Sequence, residues 1–141
     1  MKTKPLTALL TLFLSSCLFT GDEEISIRHL TKDFYLQDYA STFSLIQQAK
    51  DAQTHAVIID GGVNGIGFNN DFILAEKNID SNGVRTIEFY LIDIRTYQPA
   101  TWRMANKIDT FYTEQEYNAR IKELGIPDSL WPSMANLHTN H

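Results

Sequence analysis

The chain has 141 residues, one cysteine and a formal net charge of −5 at pH 7. This length is that of one ordinary domain, and a single cysteine excludes an internal disulfide. The acidic balance argues against electrostatic recruitment by nucleic acid, so we expect no nucleic-acid partner.

The first segment has the pattern of a secretory signal. Lys2 and Lys4 precede the apolar run Leu6 to Leu14, which is too short for the roughly 20 residues that span a membrane. The next residues, Leu14-Ser15-Ser16-Cys17, resemble the lipobox of bacterial lipoproteins. That resemblance implies cleavage of residues 1–16 and a diacylglyceryl group on the Cys17 thiol. Ordinary secretory cleavage, with Cys17 incidental, is the alternative.

Residues 17–24 are predicted to be the lipidated cysteine and its tether. Removal of residues 1–16 takes away two lysines and no acids, which leaves 10 basic residues against 17 acidic ones and a net charge of −7. Leu18, where aspartate would retain a lipoprotein at the inner membrane of enteric-type bacteria, favours the outer membrane. Two or three acyl chains hold a protein stably on its membrane.

Beyond the tether, apolar residues recur mainly with the spacing of β-strands. We expect residues 25–134 to form one α+β domain and residues 135–141 to be a disordered tail. The predicted strands begin near Ile25, Phe34, Phe43, Ala56 and Phe72, and the Ala56 to Ile59 run suits a central strand.

The most specific local signal is the dipeptide Asn82-Gly83. It can occupy the two positive-φ positions of a type I′ turn, which predicts a β-hairpin. In the second strand of that hairpin Phe89 and Leu91 lie on one face and Tyr90 and Ile92 on the other, so apolar groups should cover both faces.

One helix is predicted after this hairpin. Thr113 and Glu116 have the spacing of a capping box, and Tyr117, Ile121 and Leu124 share one face. Gly125 and Pro127 should end the helix. Leu130 and Trp131 are expected to pack back on the domain. The fold class is therefore an antiparallel sheet of five or six strands with one C-terminal helix packed on it.

The segment Ala56 to Asp71, AVIIDGGVNGIGFNND, contains the candidate site. Its glycines have the wrong order for a dinucleotide fingerprint, and no helix follows them. A calcium loop would need oxygen ligands at its third and fifth positions, and the third is Gly62. We interpret residues 61–67 as a long hairpin connection with its glycines and asparagines at positive φ. The residues with binding potential are Asp60, Asn64, Asn69, Asn70 and Asp71.

No pattern indicates a catalytic residue, a cofactor or a metal ion. His29 fits a strand, and His138 and His141 have no third ligand nearby. Trp102 and Trp131 are candidates for an exposed aromatic cleft, which would favour a glycan or small-solute binder. A hydrolase would require His29 or His55 beside an acid and a hydroxyl.

Three segments resemble an uncharacterised family of short bacterial lipoproteins. They are NDFILAEKN at 69–77, FYLIDIRT at 89–96 and TEQEYNARIKELGIP at 113–127. The resemblance implies a fold and no catalytic residue. We expect a non-enzymatic envelope lipoprotein that binds an envelope or secreted protein, with glycan or small-solute binding as the alternative.

Overall fold

The computed structural model describes residues 25–40, 42–48, 55–97 and 108–133. They form one seven-stranded antiparallel sheet in which each strand pairs with the next along the chain. The strands are β1 (Ser26–Thr31), β2 (Phe34–Tyr39), β3 (Thr42–Gln48), β4 (His55–Phe68), β5 (Phe72–Ser81), β6 (Val84–Asp93) and β7 (Asp109–Phe111). Helix α1 (Glu114–Glu123) follows, and then a 3₁₀ turn at Asp128–Leu130.

The α+β fold class predicted from the sequence is confirmed, with seven strands in place of five or six. The missing strand is β7, which has only three residues and is too short to show an alternating pattern. The Ala56 to Ile59 run lies in β4, the central strand of the seven. The predicted signal peptide, the tether and the tail at 135–141 lie outside the described residues.

One face of the sheet, which we call the inner face, carries the larger apolar core. Leu36, Leu45, Ile66, Ile73 and Ile92 on successive strands are each at most 2% exposed. The rings of Phe34 in β2 and Tyr97 after β6 lie 5.3 Å apart. In a flat sheet β2 and β6 would be about 19 Å apart. The segment after β6 therefore reaches back over the inner face as far as β2.

Helix α1 packs on the other face, which we call the outer face, over β5, β6 and β7. The backbone N–H of Glu116 donates to the Thr113 hydroxyl at the helix start, as the sequence predicts. That hydroxyl donates in turn to the Glu116 carboxylate at 2.9 Å. Tyr117 and Ile121 are buried against the sheet. Gly125 adopts φ 65° and ends the helix.

The predicted hairpin is confirmed between β5 and β6. Asn82 and Gly83 have φ 55° and 79°, and Ser81 pairs with Val84 across them. The register places Phe89 and Leu91 on the outer face beneath α1 and Ile92 on the inner face. Both faces of the later half of β6 are therefore covered by apolar groups, as expected.

Candidate functional site

The glycine-rich segment is a strand, so its interpretation as a hairpin connection is wrong. Residues 55–68 form the 14-residue strand β4. Only Gly61 and Gly62 within it have positive φ, 48° and 74°, at a point where the pairing with β3 shifts register. Asn64, Asn69 and Asn70 are not among the positive-φ residues. The glycines thus allow an irregular register inside a long central strand, where Gly is typical of bulges.

Gly65 and Gly67 serve a different purpose, which is to let another backbone cross the sheet. Residues 127–133 after the helix, the C-terminal strap, lie over β4 on the outer face. A Cβ at Gly67 would lie 1.8 Å from the carbonyl oxygen of Leu130. Ser133 pairs with Ile66 through two backbone hydrogen bonds of 3.4 and 3.2 Å. The absence of side chains at these glycines therefore lets the strap backbone contact β4, although the two segments are more than 60 residues apart in sequence.

The five predicted binding residues do not form one cluster. Asp60 precedes the register shifts of β4, and Asn69 follows Phe68, the last residue of that strand, so most of the second half of β4 lies between them. The Asp60 side chain is exposed, and its carbonyl oxygen accepts from the Lys77 ammonium at 2.6 Å. Asn64 lies between them at a break in register with β5, and its Oδ1 atom is buried without a hydrogen bond.

The remaining three candidates form the tight turn between β4 and β5. The side-chain oxygen of Asn69 accepts from the backbone N–H groups of Asp71 and Phe72, each at 2.8 Å. Thr31 donates to the side-chain oxygen of Asn70 at 3.5 Å. The Asn69 contacts are typical of tight turns, in which an Asn side chain accepts hydrogen bonds from backbone N–H groups of its own turn. Binding by these residues stays a prediction.

An aromatic cluster surrounds Tyr117 beneath the helix and the strap. Its ring lies 4.9 Å from Phe89, 5.7 Å from Phe111 and 5.7 Å from Trp131. The Tyr117 hydroxyl is buried and has no hydrogen-bond partner. Burial, and secondarily the charge of Glu76, raises the pKa of this phenol. Tyr117 is therefore a neutral core residue under all ordinary conditions.

Glu76 lies beside the strap, next to this aromatic cluster. Its Oε2 atom would be 3.4 Å from a Cβ at Gly65, which also faces Pro132. Burial, followed by repulsion from Glu114 in the first turn of α1, raises the pKa of the Glu76 carboxyl above its ordinary value. The arrangement can hold a proton more readily than a free carboxylate would.

A shallow groove runs beside the outer edge of β7. It has a volume of about 340 Å³ and is lined by Ile108, Asp109, Thr110, Phe111 and Arg120. Arg120 pairs with Asp109 at 3.4 Å and with Glu123 at 2.8 Å. Tyr112, which follows β7 directly, is 73% exposed. Within the described residues no strand pairs with the far side of β7.

The sequence did not point to this groove. Its strand is too short to be recognised, and Arg120 is one of several charges on an amphipathic helix. The apolar residues Ile108 and Phe111 were the only available signal, and their spacing of three residues is that of a helix face rather than a strand face.

The other predicted candidates are not brought into a reactive arrangement. The His29 ring nitrogen lies 2.6 Å from the Lys32 carbonyl oxygen, and the ring packs against Tyr35. His55 is exposed at the start of β4. Trp131 is 36% exposed, and Trp102, His138 and His141 lie outside the described residues. Across the described ranges, no group of three or more His, Cys, Asp or Glu side chains could hold a metal ion.

Comparison with known proteins adds no assignment. No family model, curated protein or solved structure matches the chain. The similarity to short bacterial lipoproteins therefore stays a prediction from the sequence. Within the part of the chain that the structure describes, no helix is long and apolar enough to cross a bilayer.

Proposed function

We propose that the protein is a lipid-anchored lipoprotein of the bacterial envelope that binds another protein and is not an enzyme. The anchor is Cys17, and the outer membrane is the favoured site because Leu18 follows it. With a net charge of −7 after cleavage, the protein would not be attracted to anionic lipid or nucleic acid. The acyl chains at Cys17 would therefore supply the attachment to the membrane.

The observation that carries the proposal is the composition of the β7 edge. The far side of β7, which pairs with no other described strand, adjoins Tyr112 and Arg120, and Phe111 is one of the residues that line the groove. Tyr and Arg are enriched among residues that dominate protein–protein binding energy. An exposed sheet edge can accept an extended segment of a partner, whose main chain supplies hydrogen bonds while flanking pockets supply specificity.

The groove suits a protein segment better than an enclosed small molecule. Its 340 Å³ lie at the low end of ligand-pocket volumes, and small-molecule sites usually enclose most of their ligand. The two ion pairs of Arg120 hold the guanidinium beside the groove wall. The Glu123 carboxylate, with a smaller contribution from Asp109, raises the pKa of Arg120, which is positively charged in the last turn of the helix together with Lys122.

The anchor is tested by metabolic labelling of the host with palmitate. We expect label in the wild-type protein and none in Cys17→Ala. The native polypeptide should begin at Cys17. An unlabelled wild-type protein, or a different mature first residue, would remove the lipoprotein assignment.

The partner-binding edge is tested by a photo-crosslinking amino acid placed at Tyr112 in the native envelope. Val84 is the matched control, because it is 63% exposed but lies in the β5–β6 hairpin, away from the groove. We expect one adduct of defined mass from position 112 and none from position 84. Equal adducts, or none at either position, would contradict binding at this edge.

A further inference from the structure

The chain contains two Asn-Gly dipeptides, Asn64-Gly65 and Asn82-Gly83. In such a pair the backbone nitrogen of glycine can attack the side-chain amide carbon of asparagine, since glycine has no Cβ to obstruct the approach. This attack is the first step of deamidation. The sequence gives both dipeptides the same reactivity, so a difference between them must come from the fold.

Asn82-Gly83 lies at the exposed end of the β5–β6 hairpin. All residues from Asp80 to Ile87 are exposed, and nothing lies within 4 Å of the position that a Cβ at Gly83 would take. The Gly83 N–H donates to Oδ1 of Asp80 at 3.2 Å. An exposed hairpin end opens locally with only a small rise in free energy, because few buried contacts are lost. The Gly83 nitrogen therefore becomes available to the Asn82 side chain while the rest of the sheet stays folded.

Asn64-Gly65 lies within the central strand β4. Gly65 is buried and pairs with Glu76 of β5, and a Cβ at Gly65 would lie 3.3 Å from the Pro132 side chain in the C-terminal strap. The Oδ1 atom of Asn64 is buried. Attack by the Gly65 nitrogen would therefore require β4 to separate from β5 and from the strap. Core strands open only with a free energy close to that of global unfolding.

We propose that Asn82 is a site of spontaneous deamidation and that the fold protects Asn64 from the same reaction. The Gly83 nitrogen loses its proton and forms a bond to Cγ of Asn82. The bond from Cγ to the side-chain nitrogen breaks, and that nitrogen leaves as ammonia with the proton. Water then opens the succinimide ring at either carbonyl carbon. The product is aspartate or isoaspartate, with one added negative charge and no change in oxidation state.

The two products differ in their effect on the hairpin. Asp-Gly suits a type I′ turn as Asn-Gly does, so aspartate should preserve the pairing of Ser81 with Val84. Isoaspartate carries the main chain through its side-chain methylene, which adds one atom to the backbone of a two-residue turn. The isoaspartate form should therefore lose the turn geometry and the strand pairing next to it.

Asp80 slows the reaction at Asn82. Loss of the Gly83 proton would leave a negative nitrogen 3.2 Å from the Asp80 carboxylate oxygen, and like charges repel at this distance. Asp80→Ala removes the acceptor and its charge, so we expect it to raise the rate by about three- to tenfold. Asp80→Asn keeps an acceptor oxygen without the charge, and its rate should lie between the other two.

The test follows deamidation by mass spectrometry while the purified protein is incubated at mildly alkaline pH. Trypsin cleaves after Lys50, Lys77 and Arg85, so the two dipeptides lie on separate peptides, residues 51–77 and 78–85. Fragmentation of each peptide identifies the converted residue and distinguishes isoaspartate from aspartate. Incubation of the same protein in urea gives the rate at each site without the fold.

In the folded protein we expect conversion at Asn82 to be at least about a hundredfold faster than at Asn64, with comparable rates at the two sites in urea. Equal rates in the folded protein, or conversion at Asn82 only in urea, would overturn the proposal. Unequal rates in urea would trace the difference to the local sequence and overturn the protective role of the fold. An unchanged or lower rate in Asp80→Ala would overturn the role of Asp80. Asn82→Asp, which reproduces one product, should unfold at the same urea concentration as the wild type.

Discussion

Replacement of Gly67 by alanine tests whether the strap holds the domain together. The new Cβ would lie 1.8 Å from the carbonyl oxygen of Leu130 and 3.1 Å from that of Trp131. Both neighbours are backbone atoms, so rotation of a side chain cannot relieve the overlap. The strap must move away from β4.

The magnitude follows from what the strap contributes. Leu130 is 8% exposed, and a fully buried leucine contributes about 1.5–3 kcal/mol. The two backbone hydrogen bonds between Ser133 and Ile66 contribute about 1 kcal/mol each. Alanine in a strand offsets about 0.5–1 kcal/mol of this loss, because it is less flexible than glycine in the unfolded chain. We expect Gly67→Ala to lower the free energy of unfolding by about 2–4 kcal/mol and Tm by about 10 °C.

Urea unfolding followed by far-ultraviolet circular dichroism measures the effect, with Gly65→Ala as the matched control. Gly65 lies on the same strand and face, but its Cβ would meet Pro132 at 3.3 Å and the flexible Glu76 carboxylate at 3.4 Å. That contact can relax, so we expect a change below about 1 kcal/mol. If Gly67→Ala unfolds at the same urea concentration as Gly65→Ala, the strap does not stabilise the domain as argued.

Three further outcomes are expected. The pKa of Glu76 is raised above its ordinary value of 4.5, so the protonated carboxyl stabilises the fold below pH 4.5 and this stabilisation is lost as pH rises through the folded pKa. Glu76→Gln should therefore be more stable than wild type at neutral pH. Equal urea midpoints at neutral pH would refute this. The pKa of Asp93 is shifted in the opposite direction, since its hydrogen bond with Arg95 lowers it below 3.8. The free energy of unfolding of the wild type should therefore fall as pH drops below 3.8. The same dependence on pH in Asp93→Asn would contradict this. Gly83→Ala should lower the free energy of unfolding by about 1–2 kcal/mol. The loss would come from the φ of 79° alone, since nothing lies within 4 Å of the new Cβ. An unchanged Tm in thermal unfolding would show that the turn relaxes.

Local chemistry was enough to predict the elements that are built from neighbouring residues. The Asn82-Gly83 turn depends on two dihedral angles that few other residues adopt, and the Thr113 cap depends on a hydrogen bond across three residues. The alternation around Tyr90 likewise follows from the two-residue period of a strand. These signals lie within a few positions of the residues that they govern, so the sequence contains them in full.

The glycine-rich segment shows where such local inference fails. Glycine permits turns, bulges and close backbone contact alike, and only the position of Leu130 decides that Gly67 is needed for contact. The separation of Asp60 from Asn69 has the same origin, because an extended strand and a compact loop can carry the same ligand types.

The sequence by itself determined the antiparallel α+β class, the hairpin, the helix with its caps and the hypothesis of a lipid anchor at Cys17. Tertiary structure alone decided that a strap crosses β4 and that a groove opens beside Arg120. The physical reason is the sequence separation of the interacting residues. Turns and helix caps depend on residues a few positions apart, whereas burial and close contact between backbones depend on distant segments that meet only in the folded chain.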